Sequence, residues 1–209
     1  PDGGVDARLG ALTPEAFAAG VARLSGPGFG PDAPLALAVS GGADSLALMA
    51  LAADAFGPRA QVLSVDHGLR AAAAGECAMV AGLAAGLGLP HQTLTLSLAP
   101  GGDMQARARA ARYAAMAGWC RAHGIARLLT AHHADDQAET LLMRLARGSG
   151  LAGLSGVRAT ARIEGLTVLR PLLGHRRAEL AAITAARGWA AADDPANRDP
   201  RFDRTAARK

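Results

Sequence analysis

The run Ser40-Gly41-Gly42-Ala43-Asp44-Ser45 sets two adjacent glycines between two hydroxyl side chains and beside a carboxylate. Paired glycines let backbone N–H groups approach an anion closely, hydroxyls add donors, and a helix starting at such a turn adds the positive end of its dipole. This pattern suits the cradling of phosphate or pyrophosphate, with a plain tight turn as the bland reading. Asp44 reads either as a helix cap or as a ligand for a hard cation such as Mg²⁺, and the two roles are compatible. Among 22 basic residues the only lysine is Lys209, so no internal lysine is available for a Walker-type phosphate loop or a Schiff base.

A second polar run, Val65-Asp66-His67-Gly68-Leu69-Arg70, follows an apolar stretch and could let a purine lie near Val65 and His67 while Arg70 reaches substrate. The third run, His132-His133-Ala134-Asp135-Asp136-Gln137-Ala138-Glu139-Thr140, puts Asp136 and Glu139 three apart on one helical face. Spacing leaves three readings open: acids placed by a helix dipole, a His/Asp metal site, or a pocket for an ammonium group. Arg109 and Arg112 share one face of a further helix beside Tyr113 and could meet phosphate or carboxylate, so Arg112 is a candidate catalytic cation. Arg147-Gly148-Ser149-Gly150 reads as a glycine stop with polar groups on the same side.

These runs punctuate an alternating pattern. Strands are expected over 35–39, 61–65, 91–96 and 127–131, and helices over 14–25, 46–56, 72–86, 104–122 and 135–147. Thr13 and Pro14 mark the start of the first helix. A strand over 163–169 and a helix over 176–187 follow. Strands alternating with helices imply an α/β fold: a doubly wound, mostly parallel open sheet with ligands at the carboxyl ends of its strands. The expected organisation is an N-terminal helix and loop over 1–34, a main α/β domain over 35–190, and a basic segment over 191–209 that reads as a linker or a substrate arm.

Composition narrows the class. The chain has 209 residues, 50% hydrophobic and 19% charged, which excludes intrinsic disorder and allows a sizeable core. About a quarter of the residues are alanine and 3% are aromatic, as expected of helices packed by small side chains. Apolar stretches are too short to span a bilayer, so no membrane partner is expected. Cys77 and Cys120 match no paired spacing and read as buried residues of a reducing, cytoplasmic compartment. Residues 1–169 carry thirteen Arg and thirteen acids, whereas 170–209 carry nine cations and five acids, so the net +4 resides in the last forty positions. A basic end suggests a polyanionic partner.

The glycine loop resembles the SGGxDS loop of the PP-loop, or N-type, ATP pyrophosphatase superfamily, whose members cleave ATP between the α- and β-phosphates. Six further segments accompany it in order: Val65 to Arg70, Arg109 to Tyr113, His132 to Thr140, Arg147 to Gly156, Arg170-Pro171-Leu172-Leu173, and Asp194 to Asp199. Together they resemble the N-terminal catalytic domain of the tRNA(Ile)-lysidine synthase family from about Leu35 to Arg208, departing from its pattern at Ala196 and Thr205. The resemblance implies ATP bound over Ser40, Gly41, Gly42, Ala43, Asp44 and Ser45 with adenine near Val65 and His67, and Mg²⁺ at Asp44. It implies adenylation of the wobble cytidine of tRNA(Ile) with a CAU anticodon, followed by attack of free L-lysine, whose amine Asp136 and Glu139 would recognise. A homodimer is compatible with it. Two other readings compete. A PP-loop tRNA thiolase would want paired cysteines, and a module that holds ATP or RNA without turnover would have no use for an amine pocket.

Overall fold

A computed structural model describes residues 12–68, 71–97, 104–146 and 156–192. Helix α1 (Pro14–Ser25) starts where Thr13 Oγ1 accepts the Ala16 N–H at 3.2 Å and proline occupies the first turn. Strand β1 (Leu35–Ala38) is buried, and α2 (Ala43–Phe56) follows it. Helix α2 is apolar nearly all round because α1 and a later helix, α6 (Arg177–Ala186), both pack on it against the sheet. Strand β2 (Ala60–Asp66), α3 (Ala71–Gly86), β3 (His91–Thr95), α4 (Met104–Ala122), β4 (Arg127–Leu129) and α5 (Ala134–Ala146) continue the alternation. Strands β5 (Thr160–Ile163) and β6 (Leu166–Leu169) precede α6.

The sheet order is β3-β2-β1-β4-β6-β5, parallel throughout except for the β5 edge, which runs antiparallel to β6. Leu37 of β1 sits in register with Val62 of β2 on one side and Leu129 of β4 on the other. Connections from β1 run outward through β2 and β3, and the chain then returns to the opposite side of β1 with β4. The crevice at the carboxyl ends of β1 and β4 is therefore the switch point where open α/β sheets bind ligands. One core layer joins Phe17, Val21, Leu48, Val80 and Leu180 from α1, α2, α3 and α6. The other, on the opposite face, joins Tyr113, Met116 and Cys120 of α4 to Leu63, Leu128 and Val168.

The mostly parallel α/β sheet agrees with the sequence reading, with two corrections. The segment over 163–169 is not one strand but the end of a hairpin, in which Glu164 (φ 51°) and Gly165 (φ 77°) form the two-residue turn. Such turns need positive φ at both positions, and glutamate is a poor advertisement for one. Helix α2 begins at Ala43 and not at Leu46, because the chain turns helical directly after the Gly42 N-cap, ahead of the first large apolar residue. Among the described residues no helix is long and apolar enough to cross a membrane. Asp194 to Asp199 and the arginines beyond it lie outside the described residues, as do Leu69, Arg70, Arg147 and Ser149.

Candidate active site

The loop between β1 and α2 owes its shape to one glycine. Gly41 has φ +88°, and a side chain there would crowd the Met79 Cε at 3.1 Å. Gly42 is the helix N-cap in extended geometry with no side-chain cap bond, so Asp44 does not cap α2 but sits in its first turn. Ser45 Oγ donates to the Gly42 carbonyl at 2.8 Å and accepts the Ser40 N–H at 3.2 Å, which folds the loop back on its helix. The loop is also held from behind. Thr184 Oγ1 of α6 donates to the Ala43 carbonyl at 2.8 Å, and the Ala192 N–H donates to the Gly41 carbonyl at 2.9 Å.

Beneath the loop, buried Ser64 donates its hydroxyl to the Val39 carbonyl at 3.0 Å. That proton being committed, His91 Nε2 at 3.1 Å from Ser64 Oγ must be the donor of the second bond. Burial holds the His91 imidazole below its ordinary value. At the end of β2, Asp66 Oδ1 accepts the Gly68 N–H at 2.9 Å, closing the turn that carries His67.

A cleft of about 590 Å³ opens over these strand ends, a volume suited to a nucleotide-sized ligand. Of the residues singled out in sequence, Ser40, Gly42, Asp44, Ser45, Val65, His67, Arg112 and Asp136 line it together. Gly41 and Ala43 contribute backbone to the same loop. Glu139 is not among the lining side chains: it is 8% exposed, buried one turn further along α5. Arg109 and Arg112 form one wall, their guanidinium groups 5.1 and 5.8 Å from the Tyr113 ring centre. Arg177 and Ala192, which bear no motif, also line the cleft. They lie far from the glycine loop in sequence, and the α6 packing alone brings them there.

The first turn of α5 is pinned by polar contacts. The Ala134 N–H donates to the His175 carbonyl at 2.8 Å, and Asp135 Oδ2 accepts the Arg177 N–H at 2.8 Å, which holds the Asp135 carboxyl below its usual range. Asp136 Oδ2 accepts the His133 N–H at 3.0 Å, so this acid does cap its own helix. Gln137 clamps Val157 with both ends of its amide, at 2.7 and 2.5 Å. The outer face of α5 leaves Leu141, Leu142 and Leu145 exposed.

Buried His133 joins the two carboxylate regions. Its Nε2 lies 3.4 Å from Asp44 Oδ2 and 3.7 Å from Asp136 Oδ2, and its Nδ1 3.5 Å from Asp135 Oδ2. Burial alone would lower this imidazole, but the bond to Asp44 and the charges of Asp136, Asp44 and Asp135 outweigh it and hold the ring above its ordinary value. Asp44 Oδ1 is buried without a hydrogen-bond partner. An orphaned carboxylate oxygen facing hard-ion chemistry fits Mg²⁺, which takes one or two carboxylates and completes its shell with phosphate and water. Among the described residues no three His, Cys, Asp or Glu side chains are grouped to hold a metal by themselves.

The family model for the PP-loop domain matches residues 16–209. The chain belongs to the PP-loop family. The PP-loop family is one that uses ATP, in keeping with the phosphate cradle read from the glycine loop. It is 52% identical over 181 residues to a tRNA(Ile)-lysidine synthase of Novosphingobium aromaticivorans, covering 85% of this chain and 56% of that protein. A tRNA(Ile)-lysidine synthase of Zymomonas mobilis is 49% identical over 180 residues, 84% of this chain and 54% of that one. The chain thus spans about half the length of these curated relatives, and the resemblance read from its seven motifs is borne out. A solved U34-tRNA thiolase of Methanococcus maripaludis superposes with TM-score 0.71 at 14% identity, over 92% of this PP-loop chain and 70% of that one. An NH3-dependent NAD synthetase of Campylobacter jejuni superposes with TM-score 0.55 at 13% identity, over 84% and 72%. These two likenesses are of fold alone.

Proposed function

We propose that this chain ligates free lysine to the wobble cytidine of tRNA(Ile) bearing a CAU anticodon, using ATP. The observation that carries the reading is one cleft holding both the phosphate loop with Asp44 and the Asp136 end of α5. ATP lies across Ser40 to Ser45 with adenine towards Val65 and His67, where β2 ends beside β1. Loop N–H groups and the α2 N-terminus stabilise charge on the phosphates, and Mg²⁺ held by Asp44 would neutralise charge on their oxygens.

The 2-oxo oxygen of cytidine attacks the α-phosphorus, and pyrophosphate leaves with the electron pair of the α–β bridge. Adenylation makes that oxygen a leaving group. The lysine ε-amine then bonds to the same carbon, losing a proton as AMP departs. Asp136 at the cleft, with Glu139 one turn deeper, offers the negative charge that selects an ammonium-bearing substrate. The Arg109 and Arg112 wall faces this charge from α4 and suits the α-phosphate or the RNA backbone.

The thiolase reading is not favoured: Cys77 and Cys120 lie on different helices and are both buried, and burial pushes the Cys120 thiol up to about 11. Pyrophosphate release measured with ATP alone, with tRNA(Ile), and with tRNA(Ile) plus lysine tests the proposal. Release that requires tRNA(Ile), with lysine incorporated into it, is expected. Release indifferent to both, or sulfur transfer in place of lysine, would overturn it.

A further inference from the structure

Lys209, the one lysine of the sequence, lies outside the described residues, so among those residues an arginine is the permanently charged side chain that could meet the β- and γ-phosphates. Among the described residues, three arginines reach the cleft. Arg109 and Arg112 stand on the α4 wall, packed on Tyr113. Arg177 stands apart from them at the first position of α6, the helix that packs along α2 and buttresses the phosphate loop.

The sheet order gives a direction to the nucleotide. With adenine at the end of β2 and the phosphate loop at the end of β1, the triphosphate runs towards β4 and β6, from which α6 emerges. Arg177 therefore lies at the far end from adenine. Its Nε is 4.0 Å from Asp44 Oδ2, the carboxylate suited to the cation that phosphates share. Its side chain is 49% exposed, and its own backbone N–H is bonded to Asp135, which fixes the base of the side chain and leaves the guanidinium at the cleft.

We propose that Arg177 is the residue that grips the β- and γ-phosphates of ATP and the departing pyrophosphate. This rests on the nucleotide reading of the cleft given above. As the cytidine oxygen bonds to the α-phosphorus, the bond from that phosphorus to the bridging oxygen breaks and its electron pair goes to pyrophosphate. The Arg177 fork donates two hydrogen bonds to the oxygens where this charge collects. Arg177 would act together with a cation held at Asp44.

Calorimetric titration of magnesium pyrophosphate, magnesium ATP and AMP into the wild-type chain, Arg177→Ala and Arg177→Lys tests this without any turnover. Arg177→Ala keeps the backbone bond to Asp135, so the fold and the α5 anchor should survive. Pyrophosphate and ATP should each bind about tenfold or more weakly to it, with AMP affinity within about twofold of wild type. Arg177→Lys should fall between the two, because it keeps the charge and loses the fork. Unchanged pyrophosphate affinity in Arg177→Ala, or an equal loss for AMP and ATP, would overturn the assignment while leaving the nucleotide site standing. Failure of the wild-type chain to bind any of the three would overturn the nucleotide reading and this assignment with it.

Discussion

Asp44 shows how one carboxylate can divide its oxygens. Oδ2 faces His133 and Arg177, whereas Oδ1 is buried with no hydrogen-bond partner. Asp44→Asn keeps the size of the side chain and removes the charge a hard cation needs. Pyrophosphate release should fall by at least about a hundredfold, on the scale of losing one preorganised electrostatic partner, with the circular dichroism spectrum unchanged. Release within a fewfold of wild type would remove Asp44 from the phosphate site. Glu139 tests the other substrate. Glu139 lies one turn deeper than Asp136, so a lysine ammonium that reached past Asp136 to it would make charge-assisted bonds worth about 1.5–3 kcal/mol each, and Glu139→Gln should then raise the lysine KM about tenfold or more and barely move the ATP KM. A shift in ATP KM instead would assign Glu139 to the nucleotide or to the support of α5.

At the scale of elements, the glycine loop rests on a small polar relay across the ends of β1, β2 and β3. The relay from His91 to Ser64 to Val39 lies directly beneath Ser40. Burial lowers the His91 pKa in the folded chain, whereas the unfolded chain titrates near about 6.5. Between the two values the unfolded chain binds more protons, so this contribution to stability is complete above pH about 6.5 and is lost as pH falls towards the folded value. His91→Gln keeps a donor for Ser64 but cannot titrate. Chemical denaturation at a series of pH values should therefore show a shallower acid-side fall in the variant, and superimposable profiles would show that His91 is not responsible. Helix α5 depends on a different device, since its first turn is held by His133, Asp135, Asp136 and Gln137 and its outer leucines remain exposed.

On the scale of the whole molecule, charge is segregated. The +4 belongs to residues 170–209, and Ala192, which precedes the basic segment, is bonded to Gly41 of the glycine loop. If Arg198, Arg201, Arg204, Arg208 and Lys209 contact the tRNA backbone, binding must release counterions. Each contact contributes about 0.7 to 0.9 to the slope of log affinity against log salt, so replacing Arg204 and Arg208 together by alanine should flatten the slope by about one to two units. Lysine and ATP binding should be spared. A tRNA titration at several salt concentrations decides it, and equal slopes would return the segment to a solvated surface.

Local chemistry and periodicity were enough to reveal the alternating α/β pattern, the glycine loop with Asp44, and the acidic first turn of α5, because each depends on residues close together in the chain. Gly41 is legible for this reason: a positive φ is a property of one residue and its neighbours. The hairpin turn at Glu164 was not, since its conformation is imposed by pairing of β5 with β6. Only the tertiary structure could separate Asp136, which lines the cleft, from Glu139, which lies deeper, because helical spacing gives a shared face but not the depth at which that face is buried. It alone brings Arg177 and Ala192 to a loop some 140 residues earlier, through packing of α6 on α2 that no local pattern encodes.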